Sequence, residues 1–144
     1  MTNSKNIQKE AIDFFGSSCY LMCLSYIYDK DSRDNTDIMW DNILLAKKLG
    51  YCDKDGYVTD PVSFINKVRL NYSTEKAKKV IKESIKSLNE LPEKGLYAVM
   101  YRNGKYTHFV VASKKDGIIF DPMGGTSNTL KYGEIESYRL VEER

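Results

Sequence analysis

The apolar pattern of this chain changes its period once, near Pro92, and that change decides what fold is available to it. Ahead of Pro92 the apolar side chains recur at helical spacing; beyond it they alternate in twos or run on unbroken. Helices followed by an antiparallel sheet make an α+β layout. Cys19 to Tyr28 is apolar almost throughout, as befits a helix buried on most sides, and is expected to be the central helix. Gly16-Ser17-Ser18 before it offers N-cap side chains. Gln8 to Phe15 reads as a short helix or an extended lead-in, and residues 1–7 as a loose arm. Thr36 is expected to cap a second helix that stops at Gly50, and Asp60-Pro61 to start a third with its proline in the first turn. A fourth is expected from Thr74, with Ala77, Val80, Ile81, Ile85 and Leu88 as one stripe and lysines opposite.

Past Pro92, Leu96 to Tyr101 reads as a strand and Asn103-Gly104 as a hairpin turn. Tyr106 to Ala112 is apolar on both faces and is expected inside the sheet. A turn over Lys114 to Gly117 leads into a returning strand, Ile118 to Asp121. Further strands are expected near Thr129 to Tyr132 and Glu136 to Val141, giving a sheet of roughly four to six strands.

At 144 residues the chain is expected to form a single domain, burying roughly 70% of the surface of its unfolded form. It therefore needs neither disulfides nor a metal to hold a core. A net charge of +2, from 22 basic and 20 acidic side chains, gives no electrostatic ground for a nucleic-acid partner. The polar start Met1 to Asn6 lacks the apolar core of a signal peptide, and no stretch approaches the ~20 apolar residues of a membrane span. A cytoplasmic protein is expected. The three cysteines, Cys19, Cys23 and Cys52, are odd in number and irregular in spacing, which argues against a disulfide framework. With one histidine in the chain, these residues do not make a zinc ligand set. Asp53-Lys54-Asp55-Gly56 lacks the terminal glutamate of a calcium loop and reads as a turn. No cofactor is expected.

Three residues carry the chemical signal. Cys19 follows Gly-Ser-Ser at the first turn of the buried helix, where unpaired N–H groups and the helix dipole favour an anion such as a thiolate. Cys23 lies one turn deeper and reads as a small core residue. His108, the chain's one imidazole, stands near the start of an apolar strand, Thr107-His108-Phe109-Val110-Val111. Asp121 ends the next strand, in Phe120-Asp121-Pro122. Whether the two share a face depends on the turn between them. A four-residue turn makes them diagonal neighbours roughly 7–8 Å apart, whereas a three-residue turn puts them on opposite faces. Asp116-Gly117 favours four. Taken together, Cys19, His108 and Asp121 follow the logic of nucleophile, base and orienter.

On these segments the chain resembles the papain-like cysteine peptidase superfamily. The matching stretches are Gly16-Ser17-Ser18-Cys19-Tyr20-Leu21-Met22 and Thr107-His108-Phe109-Val110-Val111. The short interval from His108 to Phe120-Asp121-Pro122, and the segment from Leu49-Gly50-Tyr51 to Asp60-Pro61, are most similar to bacteriocin-processing (double-glycine) peptidases and their bacterial relatives. The resemblance implies a cysteine at the start of a central helix, packed on a sheet that carries the histidine and the acid. It also implies thiol hydrolysis of a peptide, a leader sequence or a cell-wall amide through an acyl-enzyme. One position departs from the pattern. Such enzymes carry a glutamine about six residues before the cysteine, as an oxyanion donor, and here that residue is Asp13. Gln8, eleven residues upstream of Cys19, is the remaining candidate for that task. Losing one such donor costs about 2.7–4 kcal/mol in a transition state. Two other readings of the same fold stand beside the hydrolase: a non-catalytic module that binds a peptide or protein, and a thiol acyltransferase with an amine as acceptor.

Overall fold

A computed structural model describes residues 18–70 and 73–143. The lead-in Gln8–Phe15, the arm 1–7, Gly16 and Ser17 lie outside the described residues. In chain order the elements are α1 (Cys19–Tyr28), α2 (Thr36–Leu49), α3 (Pro61–Val68), β1 (Lys79–Ser84), β2 (Tyr97–Asn103), β3 (Tyr106–Ser113), β4 (Gly117–Phe120), α4 (Asn128–Tyr132) and β5 (Glu134–Glu142). Single 3₁₀ turns cover Lys30–Arg33 and Leu88–Glu90. The strands form one sheet in the order β1-β5-β2-β3-β4, with every neighbouring pair antiparallel. The α+β arrangement is as expected, with the helices leading and five strands following.

The near-continuous apolarity of α1 has a direct cause, because the helix is covered on two flanks. Cys19 and Cys23 pack with Ala98, Met100, Phe109 and Val111 of β2 and β3. Leu21, Met22 and Leu24 pack with Met39 and Ile43 of α2 and Phe64 and Ile65 of α3. Ring stacking ties α1 to the strands at two points, Tyr20 on Phe109 with centroids 4.4 Å apart and Tyr26 on Phe120 at 4.5 Å.

The helix boundaries follow local chemistry. Asn35, rather than Thr36, caps α2, its side chain accepting from the N–H groups of Asp37 and Ile38. Gly50 closes that helix at φ +78°. Asp60 accepts from Ser63 N and Pro61 opens α3.

Two of the expected elements need correction. The helix expected from Thr74 does not form; its middle is the edge strand β1, paired with β5 from Lys79↔Glu142 to Ser84↔Ser137. Only Val80 and Ile81 are half-buried there, between exposed charged residues. That is the pattern of a short, charge-guarded sheet edge. Ala77, Ile85 and Leu88, which completed the helical stripe, lie outside the strand, and Ala77 and Ile85 belong to different core clusters. The strand expected at Thr129 to Tyr132 is instead the single helical turn α4, capped by the Ser127 hydroxyl, which accepts from Leu130 N.

Gly133 ends α4 and leaves no room for a side chain. A Cβ there would lie 2.4 Å from both the Arg102 and the Thr129 carbonyl oxygens. Both contacts are backbone, so relief requires moving β2 or α4. Gly133→Ala is expected to destabilise the fold by about 1–3 kcal/mol, seen as a lower urea midpoint at unchanged slope.

The β3–β4 connection decides the geometry of the site. Ser113 pairs with Gly117, so three residues intervene, not the four expected, and Ala112 then pairs with Ile118. The register next slips, and Val111 pairs with Phe120, leaving Ile119 as the extra residue of a bulge. That extra residue restores the register a four-residue turn would have given. His108 and Asp121 end up on common ground although the turn differs from its expected length.

Candidate active site

Cys19 is the first residue of α1, directly after the buried Ser18 at the N-cap position. It is 7% exposed. His108 lies on β3 beyond the last β3–β4 pair, Val111↔Phe120, where β4 no longer covers the strand edge. Its imidazole is buried, and Nε2 lies 2.7 Å from Asp121 Oδ1. Cys19 lies close enough to the same ring to contribute to its raised pKa. The structure thus joins His108 and Asp121 directly and places Cys19 near them. Gln8 and Asp13 lie outside the described residues.

Asp121 is held from several sides. Besides His108, Oδ1 accepts from Met123 N at 2.9 Å, and Oδ2 accepts from Gly125 N at 2.9 Å. Its own carbonyl accepts from Gly124 N. Gly124 and Gly125, at φ +60° and +84°, allow the tight loop that aims these N–H groups inward. Burial raises the Asp121 pKa, but the His108 and backbone hydrogen bonds outweigh it and hold the carboxyl below its usual value. For His108 burial works against the charged ring. The hydrogen bonds to Asp121 and Cys19 and the charges behind them prevail, raising its pKa to about 9.

This linkage gives a pH dependence with a definite sign. A histidine whose folded pKa is raised stabilises the fold fully below its unfolded value near 6.5, and that gain is lost as pH climbs through about 9. Stability should fall by at most about 3 kcal/mol over that window, measured as urea midpoints at a series of pH values. A His108→Gln variant should lack most of the slope.

The other two cysteines are placed for packing. Cys23 is fully buried, and burial followed by the Cys19 and Asp121 charges pushes its thiol pKa well up. Cys52 sits in an isolated bridge with Val58, its thiol also raised by burial and by the charge of Asp53.

Cys19 also borders a cavity of about 230 Å³, walled by Tyr20 of α1, Gly56 to Val58 of the turn, Thr107 and Phe109 of β3, and Arg139 of β5. The residues on either side of His108 line this space while the imidazole does not. The thiol thus borders the cavity while lying close to the ring. Sequence reasoning missed this wall. The one available signal was a charged residue, Arg139, amid the apolar run Tyr138 to Val141.

Compared with protein-family models, curated proteins and solved structures, the chain matches none. No described helix is long and apolar enough to cross a membrane.

Proposed function

We propose that the protein is a thiol hydrolase acting on amide bonds. One observation carries the reading: Cys19 lies close enough to an imidazole anchored by Asp121 to help raise its pKa, and at the same time lines a cavity. In the proposed cycle the Cys19 sulfur attacks the carbonyl carbon of a bound amide. The imidazolium of His108, protonated at neutral pH by virtue of its raised pKa, gives its proton to the departing nitrogen as the C–N bond breaks. The thioester so formed is hydrolysed by water, whose proton returns to His108 as the acid product leaves. Asp121 touches no substrate; it is a positioning residue that fixes the ring and favours its charged form. The N-terminus of α1 places a positive partial charge beside the sulfur.

Competitive labelling with iodoacetamide, followed by peptide mass spectrometry, tests the reading. Cys19 is expected to be alkylated far faster than Cys23 and Cys52. Equal, slow labelling of Cys19 and Cys52 would sink the hydrolase and leave a non-catalytic binding module.

A further inference from the structure

Arg139 is an unusual wall for a cavity beside a thiol. Its guanidinium lies 5.1 Å from the Phe109 ring centre and 5.9 Å from that of Tyr20, both distances at which the ring face attracts a cation. Nη1 donates to Ser137 Oγ at 2.8 Å, and Nη2 lies 3.7 Å from the Met100 sulfur, a weak acceptor. Among the described residues no carboxylate forms an ion pair with it. Glu136, the acid whose charge it feels, is committed to Arg102 at 3.0 Å and Lys82 at 3.7 Å. Among the described residues no acidic side chain lines the cavity. Burial draws the Arg139 pKa down, and Tyr20 and the Glu136 charge offset this only in part. A half-buried cation of this kind is costly unless something pairs with it, and its planar fork suits a carboxylate.

We propose that the cavity is a specificity site for an anionic group, and that Arg139 selects substrates bearing a carboxylate side chain close to the bond attacked by Cys19. The proposal rests on the hydrolase reading for its reaction but not for its binding step, so the two can fail separately.

The experiment uses blocked peptides that differ only in Glu against Gln. Binding to the full chain carrying Cys19→Ala is followed by NMR shift titration. The Glu peptide is expected to bind about tenfold more tightly, with shifts at Tyr20, Thr107 and Phe109, and Arg139→Gln should abolish the preference. Arg139→Lys, which keeps the charge and loses the fork, should retain part of it, and it provides the test should Arg139→Gln fold poorly. Equal binding of the two peptides overturns the proposal, as does a Glu preference that survives loss of the arginine. In parallel, iodoacetamide labelling of Cys19 is measured in the parent chain. Slow labelling there, with the Glu preference intact, would sink the hydrolase and leave the anion site standing.

Discussion

In a His108→Ala variant, alkylation of Cys19 by iodoacetamide at pH 7 should slow by about two orders of magnitude or more, the usual scale of a positioned acid–base partner. The sulfur sits at a helix start, is 7% exposed and has the imidazole close by. Removing the ring takes away the group that would exchange a proton with the sulfur. Cys52, with neither a helix start nor an imidazole beside it, supplies an internal reference whose rate should not change. Far-UV circular dichroism separates this effect from unfolding, since Asp121 keeps its bonds from Met123 and Gly125 when the ring is gone. A His108→Ala chain that labels at the parent rate would remove the imidazole from the chemistry.

The second large effect belongs to Asp121→Asn. With the carboxylate neutralised, the strongest support of the charged ring is gone and only that of Cys19 remains against burial, so the His108 titration should fall from about 9 toward its ordinary 6.5. The chain has one histidine, so the ring resonances in an NMR pH titration belong to it without ambiguity. Each pH unit of that fall is about a tenfold loss in proton affinity. The pH profile of Cys19 alkylation should move with it, while the anchoring loop loses little, because an amide oxygen still accepts from one N–H. A titration that stays near 9 in this variant would mean that the carboxylate is not what keeps the ring charged.

How much of this was legible in the residues themselves varies with the physics involved. The switch of period near Pro92 and the two-sided apolarity of Cys19 to Tyr28 report burial directly, and both survive in the fold. The stripe from Ala77 to Leu88 misleads because a chain segment can satisfy helical spacing while its centre, Val80-Ile81, is drawn into pairing with Leu140 and Val141. Tertiary pairing overrides local pattern where only two side chains need cover. Thr129 to Tyr132 fails for the opposite reason: Ser127 and Gly133 bracket a capped turn too short to advertise a period. The meeting of His108 and Asp121 was readable only as a condition on loop length. The condition was missed and the result still obtained, since the bulge at Ile119 supplies the extra residue. Arg139 and its aromatic supports come from three distant segments, and no spacing along the chain announces them.

The clamping of α1 between two packed layers has a consequence for how the protein can change. The sulfur has no loop of its own to adjust; its coordinates are inherited from Leu21, Met22 and Leu24 and the side chains wedged against them. Drift in that interior, even of a methyl group, shifts the thiol relative to the ring before it threatens folding. Such a molecule would lose chemistry first and shape afterwards, so descendants with an intact scaffold and silent sulfur lie only a few repacking steps away.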